Sequence, residues 1–133
     1  MKVDGACHCG AITFEAEIDP ARIRICHCTD CQTLSGSAFR IIAPIPEAAF
    51  RLLCGTPKLY VKTAESGAAR VQAFCGDCGT PLYATSAAGE DRRFGLRVGA
   101  LRQRAELVPD RQFWHRSRLP WLPELPGEAV ERQ

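Results

Sequence analysis

The sequence predicts a mainly β fold with little helix, and three observations carry that expectation. Ile12, Phe14, Ala16 and Ile18 alternate with Thr13, Glu15 and Glu17, the period-two pattern of a strand with one buried face. Short strand-like runs recur downstream, punctuated by turn residues at Gly55-Thr56-Pro57, Ser66-Gly67 and Ala88-Gly89. No longer stretch keeps a helical period.

After the first alternating run, strands are expected over 38–43, 51–54, 58–62, 70–74, 81–85 and 93–98. One short helical turn is expected over 46–50, where Pro46 presets the backbone. Pro120, Pro123 and Pro126 make 119–133 an extended arm, which Trp121, Leu122 and Leu125 are expected to pack onto the rest of the chain. With 133 residues there is room for one core, so 1–133 is read as a single domain. A composition of 46% hydrophobic and 24% charged residues excludes a disordered or fibrous chain. No segment is apolar for long enough to span a membrane, and Met1 to Gly10 contains no apolar run of the kind that opens a secretory signal.

The cysteines are the chemical anomaly. Seven of the eight fall in three clusters, Cys7 with Cys9, Cys26 with Cys28 and Cys31, and Cys75 with Cys78, while Cys54 stands alone. Cysteines one or two residues apart cannot bridge each other without strain, whereas they suit a tetrahedral metal ion. The expected compartment is therefore the reducing cytoplasm, with zinc as the usual reason for clustered thiolates. Seven thiolates make one closed four-sulfur site plus one site with three protein ligands and an open position. Cys7, Cys9, Cys75 and Cys78 suit the closed site, and Cys26, Cys28 and Cys31 the open one. Spacing alone also permits other partitions, such as Cys7 and Cys9 with Cys28 and Cys31.

Three phrases stand in order: Gly5-Ala6-Cys7-His8-Cys9-Gly10-Ala11-Ile12, then Cys26-His27-Cys28 and Cys31 followed by Ser35-Gly36, then Phe74-Cys75-Gly76-Asp77-Cys78-Gly79-Thr80. With Arg97-Val98-Gly99-Ala100-Leu101, Ser117-Arg118-Leu119-Pro120-Trp121 and Leu125-Pro126, the chain resembles the glutathione-dependent formaldehyde-activating enzyme family, which includes centromere protein V. The resemblance implies a zinc-stapled, β-tent-like domain holding two zinc ions. Cys7, Cys9, Cys75 and Cys78 would bind a structural zinc, and Cys26, Cys28 and Cys31 a catalytic one. It implies a carbon–sulfur lyase that reversibly adds the glutathione thiol to formaldehyde, giving S-hydroxymethylglutathione. The partners would then be a glutathione-like thiol and an aldehyde. The competing reading is a zinc-stabilised binding or interaction module without turnover. Two positions depart from the family pattern, Arg102 where an Asp is common and Gln112 near a common His.

The remaining chemistry-bearing residues get simpler readings. His8 and His27 lie between cysteines, so in extended chain they point away from the sulfurs, leaving His27 at most a proton relay. His115 is a minor candidate for a fourth ligand, and Cys54 reads as a small buried hydrophobe. Residues 92–118 carry eight arginines against two acidic residues, which reads first as a solvated strand face. Nucleic acid is disfavoured by a pI near 8.2 and the lack of a binding module. Arg40, Arg97 and Arg118 are candidates for a pocket that takes the carboxylates of glutathione.

Overall fold

A computed structural model describes residues 1–132 of the chain. The alternating run becomes β2 (Thr13–Glu17), paired antiparallel with β1 (Lys2–Ala6) and β5 (Phe50–Cys54) in a three-stranded sheet. The other strands are β3 (Arg24–Cys26), β4 (Arg40–Pro46), β6 (Lys58–Thr63), β7 (Ala69–Phe74), β8 (Pro81–Ser86), β9 (Arg93–Arg97), β10 (Arg111–Phe113) and β11 (Glu128–Ala129). They form an eight-stranded sheet in the order β11-β10-β3-β4-β9-β8-β7-β6. Its pairs are antiparallel except where β10 runs parallel to both β3 and β11. The mainly β expectation holds, and Glu47–Ala49 forms the expected short turn of 3-10 helix.

The core follows from the alternation. Val3, Phe14 and Ala16 of the small sheet face Ala43, Ile45, Phe94 and Leu96 of the large one, so that Phe14 and Leu96 are wholly buried. Each such large apolar side chain contributes about 1.5–3 kcal/mol when removed from water. Phe50 ties the sheets together through ring contacts with Phe14, Tyr83 and Phe94 at centroid distances of 5.2, 5.2 and 5.5 Å. Period two leaves the alternate residues of the large sheet on its other face: Arg40 and Ile42 of β4, Gly95 and Arg97 of β9, and Gln72 of β7. That second face is polar, and it positions the site.

Several elements differ from expectation. Helix α1 (Thr29–Ser35) is a seven-residue segment with no buried residue. It lacks the apolar stripe by which a helix is recognised, and its cap is a cysteine. The strand expected over 38–43 runs as β4 through Pro44 and Pro46. This is tolerated because β3 pairs only with Arg40, Ile41 and Ile42, leaving one edge of the proline-bearing half without a β3 partner. The arm is tied down differently from the expected packing. Leu122 and Leu125 are half-buried, but Trp121 is 69% exposed. Hydrogen bonds hold the segment instead: Arg118 donates to the carbonyls of Leu122 and Pro123, and β11 adds to β10. No helix among the described residues is long and apolar enough to cross a membrane.

Candidate metal centres

Cys7 and Cys9 occupy the turn after β1, and Cys75 and Cys78 the turn after β7. The two turns are built alike. Cys7 N–H bonds to the Ile12 carbonyl and Cys75 N–H to the Thr80 carbonyl, and each turn closes on a glycine, Gly10 and Gly79, both at φ +82°. That left-handed backbone costs glycine nothing, and it turns the chain immediately after each second cysteine. The His8 amide donates to the Thr80 hydroxyl at 3.0 Å, joining one turn to the other. All four sulfurs lie within 4.8 Å of one another.

The spacing of the sulfurs identifies their chemistry. Cys7 and Cys9 sulfurs are 3.6 Å apart and Cys9 and Cys75 sulfurs 3.8 Å apart. A disulfide would bring sulfurs to about 2.05 Å, whereas four sulfurs placed tetrahedrally about 2.3 Å from one ion lie about 3.8 Å apart. All four are free thiols, and the set fits a closed metal site. The Thr80 hydroxyl, ahead of the Cys9 and Thr80 backbone groups, holds Cys78 down to about 5. Cys9 is drawn down by the Ala11 amide but pushed up to about 12 by the sulfurs around it, Cys7 first.

Cys26 is the last residue of β3, Cys28 caps α1 and Cys31 lies in the first turn of that helix. The Cys28 sulfur accepts the Cys31 N–H at 3.3 Å, where Ser, Thr or Asp would normally provide the capping oxygen. These three sulfurs are also within 4.8 Å of one another, and no histidine or carboxylate among the described residues joins them. His115, the candidate fourth ligand, stands outside the cluster. Crowding splits the thiols: the Cys26 and Cys31 sulfurs hold Cys28 down to about 2, while Cys28 and then Cys31 drive Cys26 far above the thiol range. A bound cation takes the place of the protons such a cluster otherwise shares. Both clusters could therefore hold a metal ion, in the grouping of four and three that the spacing suggested and not with Cys7 and Cys9 beside Cys28 and Cys31.

Cys26 and Cys31 line a cleft of about 610 Å³ on the polar face of the large sheet. Its walls carry Arg24, Arg40, Lys62, Arg70, Arg93 and Arg97. Arg24 pairs with Asp110 and lies over the Phe113 ring at 5.6 Å, and Lys62 pairs with Asp30. Of the three arginines singled out from sequence, Arg40 and Arg97 reach the cleft, whereas Arg118 is engaged with the arm. Arg70, Arg93 and Gln72 were not singled out. Arg93 and Arg97 do share parity against buried Phe94 and Leu96, a signal visible in the sequence, but which strands are neighbours is not.

His27 is wholly buried, with its ring turned to Gln112, Phe39 and His115. Gln112 Nε2 donates to the carbonyls of Leu125 and Gly127, so its Oε1 is the atom left to accept from His27 Nε2 at 2.9 Å. That network assigns the proton to Nε2 and leaves Nδ1 buried without a partner. Burial first, then the nearby cations, lowers the His27 pKa despite the Gln112 bond. Arg102, the other departure from the family pattern, pairs with Asp4 at 2.8 Å on the surface. Cys54 is exposed at the end of β5 and not buried as expected.

The turns of this β domain bring four thiols to one point and three to another, the second opening on a basic cleft, and each group could hold a metal ion. The model of the family described as glutathione-dependent formaldehyde-activating enzyme matches residues 2–117, and the chain belongs to that family. A Penicillium rubens protein named "Putative glutathione-dependent formaldehyde-activating enzyme" is 32% identical over 80 residues, covering 58% of this chain and 40% of that protein. The chain thus matches less than half the length of that relative. A crystal structure of a Rhodobacter sphaeroides protein superposes with a TM-score of 0.57 at 25% identity, covering 77% of this chain and 88% of the other.

Proposed function

We propose that the protein is a zinc-dependent carbon–sulfur lyase that reversibly adds the glutathione thiol to formaldehyde. In this reading Cys7, Cys9, Cys75 and Cys78 hold a structural zinc, and Cys26, Cys28 and Cys31 hold a second zinc whose remaining position is open to substrate. Zinc bound there would keep a substrate thiol as thiolate at neutral pH and could polarise an aldehyde oxygen. The observation that carries the proposal is the three-sulfur cluster, with no fourth ligand among the described residues, opening on a cleft rich in arginine.

The chain's own groups would do the positioning. Arginine forks match carboxylates, and glutathione carries two, so the cleft would orient the peptide with its sulfur toward Cys26 and Cys31. Addition forms one carbon–sulfur bond, and the thiol proton ends on the former carbonyl oxygen, so nothing is oxidised or reduced. The reverse step releases both partners unchanged. The cytoplasm, where glutathione is abundant and thiols stay reduced, is the compartment that suits this chemistry.

The test is exchange between formaldehyde and S-hydroxymethylglutathione, followed by NMR on zinc-loaded protein. The wild type should accelerate exchange above the spontaneous rate, and Cys28→Ser should remove the acceleration while the protein stays folded. Binding of zinc and glutathione with no acceleration would overturn the enzyme reading and leave a binding module.

A further inference from the structure

β5 ends the small sheet, and β6, joined to it by residues 55–57, ends the large one. Both strands are apolar where they should be guarded. Leu52 and Leu53 of β5 are 39% and 51% exposed, and Leu59, Tyr60 and Val61 of β6 are 56%, 52% and 57% exposed. Three of these occupy core-side positions: Leu52 is the cross-strand partner of buried Phe14, Leu59 that of buried Ala73, and Val61 that of buried Val71. The core therefore runs on to the margin of the molecule and stops there uncovered, as a core does where a subunit interface divides it. β6 adds a free backbone edge. It holds six residues without a proline, and its pairing with β7 is unbroken along all six. Such an edge accepts another strand unless charge, proline or a bulge prevents it. Lys58 and Lys62 flank the apolar triplet, but Lys62 is turned onto Asp30 and its side chain is only 20% exposed.

We propose that this edge is a homodimer interface, in which β6 pairs antiparallel with β6 of a second copy about a two-fold axis at Tyr60. The strand is self-complementary in that register. Leu59 falls opposite the partner's Val61, Val61 opposite the partner's Leu59, and Tyr60 opposite the partner's Tyr60, so every apolar side chain of the triplet meets another. Lys58, which takes part in no described ion pair, falls beside the partner's Lys62 with its Asp30, so that cation and carboxylate alternate across the axis. The area suffices as well. Five large side chains about half exposed amount to about 500 Å² a copy, or about 1,000 Å² for two, the size at which specific interfaces begin. The interface also reaches the cleft. Lys62 lines it, and Tyr60 is the cross-strand partner of Gln72, whose Oε1 accepts from Arg40 and Arg97 at 3.1 and 2.8 Å. The partner's β6 would thus extend the wall of the cleft beyond its own last strand.

Sedimentation velocity over a concentration series of the metal-loaded protein tests this. The wild type should sediment at twice its 14.6 kDa once its concentration exceeds about 10 μM. Val61→Lys enters the interface twice, so it should weaken the dimer at least about a hundredfold, with an unchanged circular dichroism spectrum because Val61 is exposed in the single copy. A second measurement needs no variant. In a wild-type dimer mixed from isotope-labelled and unlabelled copies, filtered NMR should show contacts between the Leu59 methyls of one copy and the Val61 methyls of the other. A wild type that stays monomeric at every concentration would overturn the proposal and leave the edge to a strand of some other protein. So would a dimer that Val61→Lys leaves intact, or one without Leu59 to Val61 contacts between copies.

Discussion

Cys26 and Arg40 are directly opposed across the β3–β4 ladder. Residues opposed in this way project from the same face with Cβ atoms about 4.5–5.5 Å apart, so the thiol cluster and the basic cleft are adjacent by register and not by loop conformation. A slip of one residue would turn every side chain of β4 to the other face. The buried Ala43 and Ile45 on the core side hold that register, which makes the hydrophobic core the device that aligns the site.

The two clusters should respond oppositely to loss of a ligand. Cys75 is buried in the turn that joins β7 to β8 and meets Cys7 and Cys9 from the first strand pair, so a metal held there would contribute folding free energy directly. Cys75→Ser is expected to lower the melting temperature by more than about 10 °C or to prevent folding. Cys28→Ser should shift it by less than about 5 °C while metal content falls from two equivalents to one. Metal analysis beside thermal melts checks both.

Gln112 is 3% exposed and uses both ends of its amide, one on His27 and the other on two carbonyls of the arm. Gln112→Leu keeps the volume but strands these groups, which should cost about 2–4 kcal/mol in denaturant unfolding. Proteolysis should then cut the released arm beyond Leu119 first.

Glu47 and Arg92 form a two-pronged pair at 3.0 and 3.1 Å, and the Arg92 guanidinium holds the Glu47 carboxyl below its usual 4.5. A carboxylate depressed by folding stabilises above its unfolded value and loses that contribution as pH falls through the folded one. Glu47→Gln should therefore melt a degree or two lower than wild type near pH 7, and the two curves should converge in acid as the Glu47 carboxyl protonates. A difference that persists or grows in acid would contradict the pairing.

The strands around the core were legible because alternation of Phe14, Ala16, Phe94 and Leu96 survives in the sequence, and the cysteine clusters because metal spacing is local. What escaped was non-local or unconventional. β1 contains Asp4 and Gly5, poor strand formers, and exists because β2 pairs with it. β10 and β11 pair in parallel with partners remote in sequence, for which no local pattern codes. The α1 start was hidden because a thiol does the capping. Half of the candidate site was visible as residue types, but the convergence of Arg40, Gln72 and Arg97 requires strand order. Arg102 departs from the family pattern with a local answer, Asp4, which sequence spacing could not show.

The most direct measurement of the central claim is cadmium NMR on protein in which cadmium replaces the bound metal. Two resonances are expected, one at the position of four sulfur ligands and one at that of three sulfurs with a lighter fourth ligand. Adding glutathione should move only the second toward the four-sulfur position. Two resonances that both report four sulfurs beforehand, or a second that stays fixed when glutathione binds, would contradict an open thiol-accepting centre at Cys26, Cys28 and Cys31.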